Sequence, residues 1–139
     1  MALLDVNILV AAHRADHPRH AQCLHVLDGE LRAGFASCAH IRNGFLRLVT
    51  HPTVFSPPTP MPVAVQAWAA WQQRPQQVLL ADTAATWQCF ADLCETYAAT
   101  GNAVYDLHLA SLALTYDRVL ISSDVGFARI AGLRWRHVG

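Results

Sequence analysis

The chain has 139 residues, of which 53% are apolar and only 14% are charged. This length and composition predict one domain, residues 1–139, with enough apolar surface to bury a sizeable core. Ten acidic residues balance ten basic ones, so no overall positive charge favours a nucleic-acid-binding protein held by electrostatics alone. The N-terminal apolar run lacks a preceding basic region, contains Asp5 and Asn7, and is too short to cross a membrane.

The four cysteines are not arranged as a disulfide framework or as a Cys-x-x-Cys motif. All four stand in apolar stretches, which favours free thiols in a reducing compartment. Together with the absence of a signal segment, this predicts a cytoplasmic protein without a membrane anchor.

Taken in chain order, residues 3–10 are predicted to be a buried strand that runs into a helix. Asp16 followed by Pro18 predicts the start of the next helix, because Asp is a frequent N-cap and Pro fits the first turn. Gly34 is predicted to end that helix. A strand at 35–38, a helix at 41–49 and a proline-rich loop at 51–62 follow.

The second half continues the same alternation. A helix is predicted at 63–72, then a strand at 76–80, then a helix capped by Asp82 or Thr83 that runs to about residue 99. After a break at Gly101 come a helix at 104–116, a strand at 118–122, a short turn or helix at 124–131 and a strand at 133–138. Strands that alternate with helices predict an α/β fold whose parallel sheet is covered on both faces.

Three carboxylates have unusual settings, because each lies at or near the end of an apolar run: Asp5, Asp106 and Asp124. The carboxyl ends of parallel strands border the ligand crevice of such sheets, so the three side chains can converge there. Clustered carboxylates need a cation or raised pKa values, and oxygen ligands suit Mg²⁺ or Mn²⁺. A metal of this kind assists phosphodiester hydrolysis. The pattern leaves a second interpretation open, in which each Asp only caps a helix N-terminus.

Several longer stretches carry a family resemblance: LLDVNILVAA, DHPRH, NGFLRLVTHPTVF, VYDLHLASLAL and LISSDVGFARIAGLRW, in that order. With these stretches the chain resembles the PIN-domain ribonucleases, specifically the VapC toxins of bacterial toxin–antitoxin pairs. The resemblance implies a PIN-like three-layer α/β/α sandwich with a central, mostly parallel sheet. It also implies an endoribonuclease of the bacterial cytoplasm that depends on Mg²⁺ or Mn²⁺ and hydrolyses RNA.

The resemblance also assigns roles to individual residues. Asp5, Asp106 and Asp124 would be the catalytic and metal-binding carboxylates, Asn7 would lie beside the first of them, and Ser122 would be a hydrogen-bond partner of a carboxylate. A VapB-type antitoxin would neutralise the toxin, which would itself be a homodimer.

Two positions depart from the family pattern. Asn43 stands where many PIN proteins have a Glu, and Gly126 stands where many have another acid. An amide can bind a metal but carries no charge, so we expect one well-held metal ion. The departure motivates an alternative function, a PIN-fold module that binds RNA or an antitoxin but has weakened catalysis. A phosphatase with Asp5 as nucleophile is a remote third alternative, because the opening lacks the second Asp that such enzymes generally show.

Other side chains have more than one interpretation. Arg42 and Arg47, near the predicted crevice, are candidates for contacts with the RNA backbone, and scattered surface charge is an equal alternative. Trp68 or Trp71 is predicted at an interface, and Trp87 is predicted to pack inside the protein. The histidines between residues 13 and 25 are interpreted as solvated helix residues rather than zinc ligands.

Overall fold

A computed structural model describes residues 1–139 and contains five strands in one parallel sheet. The strands are β1 (Ala2–Leu4), β2 (Phe35–Cys38), β3 (Val78–Leu80), β4 (Val119–Ser122) and β5 (Trp135–His137). The helices are α1 (Val6–His13), α2 (His20–Ala33), α3 (Ala39–Val49), α4 (Met61–Gln72), α5 (Ala84–Tyr97) and α6 (Ala103–Thr115), with a 3-10 helix at Val125–Arg129. The prediction of an α/β fold with a parallel sheet is confirmed.

The strand order β3-β2-β1-β4-β5 determines where the helices lie. The chain moves from β1 towards β3 through α1 to α4, and it then crosses back to β4 through α5 and α6. Crossovers between parallel strands are right-handed, so a reversal of direction puts the two sets of helices on opposite faces of the sheet. The contacts agree, because α1 packs on α2 and α3 while α5 packs on α6. The molecule is therefore the predicted three-layer α/β/α sandwich.

The two central strands are buried on both faces. Leu3, Leu4, Leu120 and Ile121 have no exposed surface. This is why the sequence shows continuous apolar runs at these strands rather than alternation. Burying each such side chain contributes roughly 1.5–3 kcal/mol, so these strands form a rigid base for the residues that follow them.

One predicted helix start is found in the structure, and another is not. Thr83 caps α5 in a capping box with Thr86, one of the two alternatives predicted. The predicted helix start at Asp16 is wrong, because α2 begins only at His20. The Asp16 carboxylate is bound by the Arg14 guanidinium through Nε at 2.9 Å and Nη2 at 2.8 Å, so it is not available to cap a helix.

The structure narrows one tryptophan prediction and contradicts another. Trp68 is buried against the ring of Phe45 and belongs to the core, so Trp71, which is half-buried, is the remaining candidate for an interface. The prediction that Trp87 packs inside the protein is wrong. Trp87 is 65% exposed on α5 and has only the edge of Phe90 beside it. The spacing of residues along a helix indicates which of them share a face. Only the neighbouring elements decide whether that face is covered.

The cysteines are free, as predicted, with Cys23 and Cys38 buried and the other two half-buried. None of the six helices combines the length and the apolar composition needed to cross a lipid bilayer.

Candidate active site

The candidate site lies where the strand order reverses. From β1 the chain goes first to β2 and β3 on one side, while β4 and β5 lie on the other side. A crevice forms at the carboxyl ends of the strands at such a switch point. Asp5 directly follows β1, and Asp124 comes two residues after the end of β4. Because β1 and β4 are hydrogen-bonded neighbours, this pairing brings the two carboxylates to the same edge.

Ser122 connects the residues at this edge. Its Oγ donates a hydrogen bond to Asp5 Oδ2 at 2.8 Å, and it accepts from the backbone N–H of Asp124 at 3.0 Å. It also accepts from Asn7 Nδ2 at 3.2 Å, and Asn7 Nδ2 lies 3.4 Å from Asp5 Oδ2. The structure therefore brings Asn7 and Ser122 beside the first carboxylate, where the resemblance put them.

Two of the three carboxylates are also helix caps. Asp5 Oδ1 accepts from the N–H of Val6 at 2.7 Å at the start of α1, and Asp124 Oδ1 accepts from the N–H of Gly126 at 2.8 Å. The predicted capping contacts are thus present for both, and nothing in them shows that capping is the only role. The capping interpretation is wrong for Asp106, which lies in the first turn of α6 behind the N-cap Asn102. Capping orients a carboxylate and does not remove its charge, so these residues remain available for a second role.

The carboxylates repel one another electrostatically. Burial raises the pKa of Asp106 to about 6, and the nearby charges of Asp124 and Asp5 add to the increase. Burial also raises the pKa of Asp5, which is only 5% exposed, although the hydrogen bond from Ser122 opposes that change. The Arg129 guanidinium opposes the increase in the pKa of Asp106. Three distant parts of the chain therefore form one acidic cluster whose members repel one another.

A cavity of about 630 Å³ opens beside this cluster and is called the acidic cavity below. Asp5, Asp106, Asn43 and Arg47 line it. Arg42 does not, because it lines a neighbouring groove against Trp68, and its Nε donates to Asn43 Oδ1 at 3.1 Å. Of the two arginines singled out by the sequence, only Arg47 thus reaches the cavity.

Two aromatic residues of the acidic cavity, His40 and Tyr105, were not predicted from the sequence. Each had a signal in the sequence. His40 comes two residues after the last residue of β2, at the same carboxyl edge as Asp5, and Tyr105 directly precedes Asp106.

The donor chemistry of the cluster fits a hard divalent cation. Its members offer carboxylate oxygens, and their mutual repulsion favours a positive ion between them. No three His, Cys, Asp or Glu side chains lie close enough together in this structure to enclose a metal ion. Mg²⁺ commonly keeps several water molecules and takes only one or two carboxylates directly, so the open arrangement suits it.

Comparison with known proteins identifies the family. The PIN domain model matches residues 2–133. Ribonuclease VapC43 from Mycobacterium tuberculosis is 38% identical over 141 residues, which cover 99% of this chain and 95% of that protein. Ribonuclease VapC37 from the same organism is 35% identical over 140 residues, 97% of this chain and 95% of that protein.

Solved structures share the fold. The VapBC2 complex from Rickettsia felis, bound to a DNA fragment of its promoter, matches with a TM-score of 0.72 and 18% identity, over 98% of this chain and 97% of that one. VapC20 from Mycobacterium tuberculosis, described as a toxin that cleaves the sarcin–ricin loop, matches with a TM-score of 0.68 and 14% identity, over 96% of this chain and 99% of that one. This chain therefore belongs to the PIN-domain family, among the VapC ribonucleases.

Proposed function

We propose that this protein is a divalent-metal-dependent endoribonuclease that hydrolyses phosphodiester bonds of RNA. One observation carries the proposal: the fold gathers Asp5, Asp106 and Asp124 into one cluster, and their mutual repulsion contributes to the raised pKa of Asp106. Repelling carboxylates cost stability, so a structure that collects them at a crevice points to a cationic ligand and to function. The relatives named as ribonucleases support RNA as the substrate.

In this proposal the residues of the chain bind the metal ion and the RNA and orient them for hydrolysis. Asp5, Asp106 and Asp124 would hold Mg²⁺ or Mn²⁺, which when bound activates water and stabilises the negative charge that develops on the phosphate. Ser122 and the N–H of Val6 fix the orientation of the Asp5 carboxylate through hydrogen bonds of 2.8 and 2.7 Å. Arg47, which also lines the acidic cavity, supplies a guanidinium for the RNA backbone. Arg42 remains a candidate for a backbone contact further from the cluster.

The test is RNA cleavage by the purified protein with Mg²⁺ or Mn²⁺ and, in parallel, with EDTA. We expect cleavage only with the metal, and we expect Asp106→Asn to lower kcat at least about 100-fold. The matched control is Asp28→Asn, which removes the same charge from an exposed position on α2 and should cleave as the parent does. The proposal fails if cleavage is absent, if it is unaffected by EDTA, or if Asp106→Asn is as active as the control.

We also propose that a VapB-type antitoxin neutralises this protein and that the free toxin is a homodimer. The R. felis structural neighbour is a VapBC complex, which supports the first part. Co-expression with the product of the adjacent small reading frame should yield a complex that no longer cleaves RNA. Sedimentation of the free protein should give twice the monomer mass.

A second candidate is a module that binds RNA or an antitoxin with weakened catalysis. Asn43 lines the acidic cavity without adding a charge, and no three acidic side chains enclose a metal site. This candidate predicts RNA binding that is independent of metal and cleavage no faster than that of Asp106→Asn. Asn43→Glu discriminates between the two, because it should increase cleavage strongly only if catalysis is limited by the missing carboxylate.

A further inference from the structure

Two aromatic rings form a stack at the acidic cavity. The rings of His40 and Tyr105 lie with their centroids 4.8 Å apart and their planes 23° from parallel. They come from different elements, because His40 lies in the first turn of α3 and Tyr105 in the first turn of α6. Both line the cavity with Asp5, Asp106 and Arg47.

The His40–Tyr105 stack is open to solvent, whereas the aromatic contacts around Phe45 lie in the interior. Tyr105 is 55% exposed, and His40 is also exposed. The ring of Phe45, by contrast, is enclosed by Trp68 and Trp71. An exposed tyrosine adds nothing to the hydrophobic core, and the structure shows no hydrogen bond from its hydroxyl. Core packing therefore does not account for the position of this ring.

The charged groups beside the His40–Tyr105 stack indicate what kind of ligand it would bind. A guanidinium and a carboxylate cluster flank it, which suits a phosphate group bound together with a cation. Unpaired RNA bases stack on Tyr and His rings, and such stacking tolerates any base. Burial and the neighbouring His108 and Arg47 lower the pKa of His40, and the neutral ring stacks without adding a charge.

We propose that the His40–Tyr105 pair is a platform on which one unpaired base of the RNA stacks, beside the phosphate that the acidic cluster addresses. This inference rests on the proposed ribonuclease function and assigns two further substrate-contacting residues to the same site. The base that stacks there is unpaired, because a base inside a duplex has both faces covered by its neighbours.

Steady-state kinetics on a single-stranded RNA test the platform first. Tyr105→Ala should raise KM about 5- to 150-fold and leave kcat nearly unchanged, since base stacking binds the substrate without touching the reacting bond. Tyr105→Phe and Tyr105→Trp should retain the parental KM, because both keep a ring. Ala is a strong helix former at this exposed position of α6, so the variant should fold. Trp87→Ala is the control, an exposed aromatic outside the acidic cavity, and should change neither constant.

A substrate with single abasic nucleotides at successive positions identifies the stacked base. One abasic position should raise the KM of the parent and have no further effect on Tyr105→Ala, because both changes remove the same contact. Fluorescence of 2-aminopurine at that position provides a binding measurement in an Asp124→Asn background that does not cleave. The parental platform should quench the fluorescence, whereas the protein that also carries Tyr105→Ala should bind without quenching.

The outcomes separate the two proposals. A parent that cleaves RNA while Tyr105→Ala keeps the parental KM and quenching overturns the platform alone. The platform is also overturned if the abasic nucleotide raises the KM of Tyr105→Ala by the same factor as it raises the KM of the parent at every position. If the parent neither binds nor cleaves RNA, both the ribonuclease proposal and the platform are overturned. A protein would then be the ligand to test at this surface.

Discussion

Replacing Ser122 by Ala tests whether the hydrogen bonds at the switch point hold the acidic cluster together. Ser122 has no exposed surface, and its hydroxyl joins Asp5, Asn7 and the backbone of Asp124. The substitution removes all three bonds and leaves one oxygen of a buried carboxylate with only a long contact to Asn7. Water cannot easily replace the lost partner, because Asp5 is only 5% exposed.

The magnitude follows from these contacts. A hydrogen bond contributes roughly 0.5–1.5 kcal/mol net, and an unsatisfied buried acceptor costs roughly 1–3 kcal/mol. We expect Ser122→Ala to lower the free energy of unfolding by about 2–4 kcal/mol. For a chain of this length, 139 residues, the Tm should fall by about 7–14 °C. The loss in free energy of unfolding caused by Ser122→Ala should be smaller at low pH, because the bond from Ser122 stabilises the ionised form of Asp5.

The assay is urea unfolding followed by circular dichroism, at pH 8 and pH 5, without divalent cations. Ser37→Ala is the matched control, because this serine on β2 is also buried, at 4% exposure, but its Oγ has no partner. Removing an unsatisfied hydroxyl should leave stability unchanged or raise it slightly. The reasoning is refuted if Ser122→Ala is within about 0.5 kcal/mol of the Ser37→Ala variant.

Two other substitutions have effects with a defined sign. Without divalent cations, Asp106→Asn should be more stable than the parent by about 1 kcal/mol above pH 7, after allowance for solvent screening. The pKa of Asp106 is raised from 3.8 to about 6, so this advantage should disappear as the pH falls to about 4, and a pH-independent difference would contradict it. Gly34→Ala should cost about 2 kcal/mol or more, because φ is +86° and a Cβ would lie 2.7 Å from the carbonyl oxygen of Gln76. Gly29→Ala, which meets nothing, should be neutral or stabilising in the same melts.

The sequence predicted the inner strands correctly because they are buried on both faces. A run such as residues 119–121 is apolar throughout because helices cover both sides of the sheet, and such a run is visible without a structure. The sequence also singled out Asp5, Asp106 and Asp124, because a carboxylate at or near the end of an apolar run is rare enough to require a reason.

The tertiary structure decided what depends on contacts between distant segments. Asp16 looked like a helix cap, and only the fold showed that Arg14 binds it instead. The exposure of Trp87 depends on the absence of a covering element, which no periodicity reports.

The candidate site divides in the same way. The sequence by itself predicted the three carboxylates as candidate site residues, since residue type and position beside an apolar run are local properties. The tertiary structure decided that Ser122 connects the Asp5 carboxylate to the backbone of Asp124, that Arg47 and not Arg42 lines the acidic cavity, and that His40 meets Tyr105 there. The contacts of Ser122 with Asp5 and of His40 with Tyr105 join residues more than sixty positions apart, and only the parallel pairing of the strands and the packing of helices on them bring such residues together.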